Sequence, residues 1–432
     1  MSVSPGSYSP SRISDVYGLM VLDSRGTPTI KAYVETVSGV RGWGIAPSGA
    51  SKGEHEAVEV RDGGKKWLGK GVEQALSNLE DIAAHMIGLD ARDQAYIDHL
   101  LISLDGTPNK SRLGGNTTTA LSIAVARAAS YSLGLEPYEY LGGNRANLIP
   151  TPLMNIINGG VHAGNDLDIQ EFMIIPVEAD SIKEALRKAI EVYWTLKKLL
   201  VEKYGKNSIN VGDEGGFAPP LTNTREALDL LVEAISRAGY DPGTDFYLGL
   251  DAAASQFKDG GKYRIDGKVL DVDQLVEFYL GILDEYPVKY LEDPFAEDDW
   301  HHFVELTKRV SAKTLITGDD LYVTNTKFLE KGIKLGATNA VLVKINQVGT
   351  LTETLEFVDM STRNCMRAII SHRSGDTEDP FIADLAVALG TGLIKTGAPA
   401  RGERTIKYNR LLEIEFLLAG QARYAGRIPF PS

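Results

Sequence analysis

Residues 314–344 read TLITGDDLYVTNTKFLEKGIKLGATNAVLVK. A short apolar run, Thr314–Thr317, gives way to Asp319; a helical segment follows; then Ala340–Val343 runs into Lys344. A strand buried on both faces is continuously apolar, and a parallel partner needs a crossover, so run–helix–run reads as a βα unit. The pattern extends outward in both directions, with further runs at Tyr247–Leu250, Val288–Leu291, Ala368–Ser371 and Leu393–Ile394. So many units in succession predict a mostly parallel sheet closed into a barrel.

The residues that end these runs carry the chemistry. In order they are Asp251, Glu292, Asp319, Lys344, His372 and Lys395, spaced by 41, 27, 25, 28 and 23 residues. Carboxyl ends of barrel strands face one mouth, so groups spaced by one unit converge there. Strand-end Asp residues also serve as helix caps, but six ionisable groups on one mouth are costly as structure alone. Asp251, Glu292 and Asp319 are hard oxygen donors suited to octahedral Mg²⁺. Zn²⁺ is disfavoured, because no Cys/His pair at ligand spacing lies nearby. Lys344, His372, Arg373 and Lys395 add nitrogen donors, and cations plus Mg²⁺ describe a pocket for a small, multiply charged anion.

Upstream, Ser181–Tyr204 has helical periodicity with capping-box spacing at Ser181 and Glu184 and a stop at Gly205; Asn223 and Glu226 open a second helix the same way. Two glycine-rich loops precede the barrel runs. Gly159–Asn165 contains His162, with Glu171 six residues on, and Gly212–Gly216 contains Glu214. Neither has dinucleotide-fold or P-loop spacing. Residues 1–12 read as a flexible tail and 13–140 as an α+β domain, with strands at Val16–Leu22, Pro28–Val37 and Val40–Ala46 before three helices; 141–432 form the barrel domain. Gly42–Glu54 has the composition of a mobile lid. The lone cysteine, Cys365, reads as a small core residue and points to a reducing, cytoplasmic setting. The formal net charge of −13 excludes nucleic acid as the main partner, and no apolar run is long enough to span a membrane.

LMNIINGGVHAGNDLDIQEFMIIP, GDEGGFAP, LEDPFAEDDW, GDDLYVTN, SHRSGDTED and IKTGAPARGER together resemble the enolase family, from Leu22 to near Ile414. The resemblance implies an α/β architecture: a distorted (β/α)8 TIM-type barrel, ββαα(βα)6, with an N-terminal α+β capping domain. It implies Mg²⁺-dependent reversible dehydration of 2-phosphoglycerate, a small-molecule substrate, to phosphoenolpyruvate. Two Mg²⁺ per site are implied, the first on Asp251, Glu292 and Asp319, the second arriving with substrate and contacted by Ser51. Lys344 matches the general base and Glu214 the acid. Glu171 and His162 match groups around the leaving hydroxyl, Arg373 and Ser374 phosphate contacts, His372 a substrate contact, and Lys395 a contact to the substrate carboxylate. A homo-oligomer, dimer or octamer, is implied too.

Lysine must be neutral to act as a base, and a neighbourhood of Mg²⁺, Lys395 and Arg373 is expected to lower its pKa; burial or Glu171 is expected to keep part of Glu214 protonated. Departures from the family strings are Thr27, Lys52, Pro380 and Gly402, none of which removes a chemical group. A racemase, epimerase or cycloisomerase of the same superfamily would keep the carboxylates but gives no reason for SGAS, HRSG or GDEGG. A non-catalytic binding protein would be expected to lose an acid, base or ligand, and none is lost.

Overall fold

Alternation decides the first domain. In Pro28–Thr36 the side chains of Ile30, Ala32, Val34 and Thr36 are buried while those between are only partly covered, as one face of a sheet requires. This strand (β2) lies between β1 (Ile13–Leu22) and β3 (Arg41–Ile45) in an antiparallel meander. A computed structural model describes residues 9–49, 53 and 55–431. Three helices follow: α1 (Glu73–Met86), α2 (Gln94–Asp105) and α3 (Gly115–Ser132). Helix α3 is buried on every side from Gly115 to Ser130, which its small Ala, Thr and Ser side chains permit by letting neighbours approach closely.

The expected lid begins too early. Gly42–Ile45 belongs to β3, and a Cβ on Gly42 would lie 2.2 Å from the Ala124 carbonyl oxygen of α3. Glycine there serves close packing of sheet on helix, not mobility. Ser51, Lys52 and Glu54 lie outside the described residues. Within the stretch read as a tail, the Ser9 and Ser11 hydroxyls donate to Asp90 at 2.7 Å.

The chain divides into two compact units: Met1–Ser48, Glu54–Asn144 and Ile345–Leu355 form one; Gly49–Gly53, Arg145–Lys344 and Glu356–Ser432 form the other. The second contains a closed eight-stranded barrel. Its strands, in order around the wall, are Val288–Glu292, Leu315–Gly318, Ala340–Val343, Arg367–Ser371, Leu393–Lys395, Thr151–Asn158, Glu171–Pro176 and Phe246–Asp251. Only Glu171–Pro176 runs against its neighbours. The six run-bearing strands appear where expected; Thr151–Asn158 and Glu171–Pro176 escape that pattern, because they form a ββ pair joined by a loop with one short 3-10 turn, Gly160–His162, and no α-helix. Leu153, Met173, Tyr290, Leu315, Leu342, Ile369 and Leu393 fill the interior, so the barrel is a packed core with a polar mouth.

The two capping boxes are half-formed. Ser181 accepts from the Glu184 amide at 3.1 Å and Asn223 from the Arg225 amide at 2.9 Å. The Glu184 carboxylate turns to Arg187 and that of Glu226 to the Tyr204 hydroxyl, ionic or hydroxyl donors that outcompete the return bond. Cys365 is exposed, not core: it occupies a left-handed turn (φ 59°) before the Arg367–Ser371 strand, at the end of the barrel away from the mouth.

Candidate active site

Strand register sets the level of the mouth. Glu171 pairs with Asp251, Asp251 with Glu292, Glu292 with Thr317, and Ser371 with Lys395. Glu171 begins the one antiparallel strand, so it reaches the mouth from its amino end while its neighbours reach it from their carboxyl ends. Asp319, Lys344 and His372 sit immediately beyond their strands. All are buried except Lys344, which is nearly so.

Lys395 is the hub. Its Nζ lies 2.7 Å from Glu292 Oε2, 2.8 Å from Asp251 Oδ2 and 3.1 Å from Glu171 Oε1. Burial favours its neutral amine, but Asp251, Glu171 and Glu292 hold it cationic, well above the ordinary lysine range. Glu292 also accepts from the Tyr290 hydroxyl at 2.6 Å, while its Oε1 is buried without a hydrogen-bond partner. Burial and the charge of Asp251 push its acid up to about 8. Asp319 pairs with Lys344, so the three expected metal ligands turn to two ammonium groups and do not converge on one point. The triplets whose ligand atoms do lie within 4.8 Å of one another at the mouth are His162–Glu171–Glu214 and Asp293–Asp319–Asp320.

The residues nonetheless fit Mg²⁺. Asp251 and Glu292 are register neighbours, Asp319 ends the next strand, all three present hard oxygens, and the buried Glu292 Oε1 still lacks a donor. Carboxylates crowded to this degree want a cation, and the lysines supply it among the chain's own groups.

Across the mouth, Glu214 Oε2 accepts from Asn155 at 3.0 Å and lies 3.5 Å from His372 Nε2; its Oε1 lies 3.7 Å from His162 Nδ1. The glycines around it reflect close packing: a Cβ on Gly212 would stand 2.4 Å from the His162 carbonyl oxygen, and one on Gly216 2.4 Å from Asn158 Oδ1. Burial, then the charge of Glu214, puts the Glu171 acid well above the usual range. Burial would raise Glu214 too, but His372 and His162 carry it well below. Burial also takes His372 down to about 4. At neutral pH that histidine is therefore uncharged, and it meets Glu214 as a hydrogen-bonding partner. Of the two carboxyls, it is Glu171 whose acid burial and its neighbour's charge raise. The expectation for Lys344 is also reversed among the chain's own groups: burial, Arg373 and Lys395 favour the free amine, but Asp319 raises it overall.

Two organising residues escaped the sequence reading. Arg404, fully buried, donates to the carbonyls of Arg373 and Ser374 at 2.6 Å and of Asp213 at 3.0 Å, and its Nη1 meets His372 Nδ1. A guanidinium on Nδ1 leaves the His372 proton on Nε2, facing Glu214. Asp293, at φ 41°, accepts the Asp319 and Asp320 amides at 2.9 Å, one on each oxygen. Both lie inside quoted strings, beside residues with clearer roles. Of the departures, Gly402 opens a helix with nothing within 4 Å of a Cβ, Thr27 closes the β1–β2 turn onto Asp23, and Pro380 precedes the helix Phe381–Leu389.

Residues 13–141 match the family model for the enolase N-terminal domain, and residues 146–430 that for the enolase C-terminal TIM barrel domain. The chain belongs to the enolase family. It is 59% identical over 415 residues to the enolase of Aeropyrum pernix, covering 96% of each chain. To the enolase of Pyrococcus furiosus it is 54% identical over 421 residues, covering 97% of this chain and 98% of the relative. To that of Methanocaldococcus jannaschii it is 53% identical over 416 residues, 96% and 97% of the two. The ββ start of the barrel is what brings Glu171 to the mouth. No helix among the described residues is long and apolar enough to cross a membrane.

Proposed function

We propose that two faces of this mouth divide the enolase reaction, the Mg²⁺-dependent, reversible loss of water from 2-phospho-D-glycerate to give phosphoenolpyruvate. On one face Asp251, Glu292 and Asp319 would hold the first Mg²⁺, and Ser51 is assigned to a second that would come with substrate. When bound, the metal stabilises the charge that builds on the substrate carboxylate as the C2 proton leaves. Lys395 faces that carboxylate, Arg373 and Ser374 receive the phosphate, and His372 donates from Nε2.

Lys344 Nζ takes the C2 proton. With Asp319 committed as a ligand, burial, Arg373 and Lys395 favour its neutral amine. On the opposite face Glu214 delivers a proton to the C3 hydroxyl, with Glu171 and His162 around it. The proton of this carboxyl pair rests on Glu171, whose Oε2 is buried without a partner, and passes to Glu214 as the hydroxyl departs. The observation that carries the reading is the opposition of a lysine, held by one carboxylate, to two buried carboxyls with pKa values driven apart. The family resemblance supports a cytoplasmic homo-oligomer, dimer or octamer.

Isotope exchange separates the two roles. Lys344→Ala is expected to abolish exchange of the C2 proton with solvent, and Glu214→Gln to retain exchange while losing dehydration. Exchange surviving in the first variant, or both steps lost together in the second, overturns the division. Ultraviolet absorbance of the conjugated product, present with Mg²⁺ and lost with EDTA, reads the overall reaction.

A further inference from the structure

The helix Trp300–Val310 follows the strand that ends in Glu292 and starts at the mouth end of the barrel. Its first turns carry His301, His302 and Glu305. One ring nitrogen of each histidine and one oxygen of Glu305 lie within 4.8 Å of one another. Glu305 is four residues from His301 and three from His302, the two separations that place side chains on one helical face. Adjacent residues do not ordinarily face each other, yet the two imidazoles meet edge-on, with ring centroids 5.0 Å apart.

The second histidine is held from behind. Asp299 stands at the N-cap position, where an aspartate ordinarily accepts from the first helical amides, but its side chain makes no such bond. Its Oδ1 lies 2.5 Å from His302 Nδ1, and its Oδ2 accepts from the Tyr263 hydroxyl at 3.4 Å. A carboxylate on Nδ1 keeps the proton there and leaves Nε2 with its lone pair, which is how metal-binding histidines are oriented. Nε2 is turned toward Asp273 Oδ1, 3.7 Å away on the neighbouring helix Val272–Glu285. Arg309 lies 3.8 Å from Glu305, and that arginine is bonded more closely to Glu277 at 2.8 Å.

We propose that His301, His302 and Glu305 form a second metal site, separate from the mouth carboxylates, for a transition ion such as Zn²⁺ or Ni²⁺. Asp299 orients His302, and Asp273 is in place to add an oxygen. Two imidazoles with one or two carboxylates suit such ions and not Mg²⁺, which takes hard oxygens in near-ideal octahedral geometry. With His301 exposed and the other two half-buried, the ion exchanges with solvent.

The test uses the full chain, with the mouth kept saturated by Mg²⁺ and phosphoenolpyruvate, titrated with Zn²⁺ alone in a calorimeter. One Zn²⁺ per chain is expected, weakened by roughly tenfold or more in His301→Ala, in His302→Ala and in Asp299→Asn. Turnover in Mg²⁺ alone is expected to be unchanged in His301→Ala, which shows that the variant is folded. Cu²⁺ at one equivalent should give an electron-spin-resonance spectrum with nitrogen coupling that both histidine variants lose. Absence of Zn²⁺ uptake, or uptake that both histidine variants leave intact, overturns the site without touching the assignment of the mouth.

Discussion

At the scale of single residues, the turn that carries Asp319 depends on its neighbour Asp293. Asp293 holds a left-handed backbone, which a non-glycine residue adopts only when its surroundings enforce it, and spends both carboxylate oxygens on the turn that carries Asp319. Burial and the charges of Asp320 and Asp319 push its acid upward, against the two amides that call for the charged form. Asp293→Asn keeps the shape and the tolerated backbone but offers one acceptor for two amides. It is expected to raise the Mg²⁺ concentration for half-maximal activity with little change in unfolding temperature; an unchanged Mg²⁺ requirement would show that Asp319 is placed without it. For His372, whose pKa burial takes to about 4, the imidazole proton resonances should stay flat from pH 5 to 8. A titration near ~6.5, the ordinary histidine value, would refute the neutral assignment.

At the scale of elements, close packing holds Gly42–Ile45 and hydrogen bonds hold Ser9 and Ser11, within stretches whose composition suggests mobility. Gly42 lets β3 approach the α3 backbone, and no side chain can flex out of the way of a backbone oxygen. Gly42→Ala is expected to destabilise the protein by roughly 1–3 kcal/mol or more, read as a lower denaturant midpoint. A midpoint equal to that of the parent would mean the strand can shift. Asp90 ties down the start of the chain through Ser9 and Ser11. Arg92 holds its carboxyl far below the usual range despite partial burial. A lowered folded-state pKa contributes stability that is present above the unfolded value of about 3.9 and fades as pH falls through the folded one. The deficit of Asp90→Asn should therefore be largest near neutrality and shrink below about pH 4, as measured by urea unfolding across pH.

At the scale of the whole molecule, a formal charge of −13 is compatible with an anionic substrate because charge is distributed, not averaged. At the mouth, Lys344 pairs with Asp319, and Lys395 with Asp251, Glu292 and Glu171, so cationic groups stand among the acids. A cation held by the folded mouth and not by the unfolded chain stabilises the fold, so on the proposed assignment saturating Mg²⁺ should raise the unfolding temperature and EDTA reverse it. At a hundred times its dissociation constant the linkage is worth about 2.7 kcal/mol. Equal unfolding temperatures with and without Mg²⁺ would count against a cation held by these three residues.

The barrel and most of its mouth were legible in the sequence, because a strand buried on both faces is written as an apolar run and its end as the first ionisable residue. Asp251, Glu292, Asp319, Lys344, His372 and Lys395 come from that rule alone. The rule failed at Glu171–Pro176: an antiparallel strand presents its first residue to the mouth, so Glu171 could be singled out but not placed. Nor could local sequence say which carboxyl is raised, since Glu171 and Glu214 differ by neighbours far apart in the chain, Asp251, Glu292 and Lys395 for the one and His162, His372 and Arg404 for the other. Arg404 and Asp293 act through backbone carbonyls and amides, which carry no mark of residue type. What the sequence by itself determined is the set of ionisable groups at one end of a barrel. Their pairing, their protonation and the close approach of β3 to α3 were decided by tertiary structure, because each depends on distances between atoms that the chain brings together only when folded.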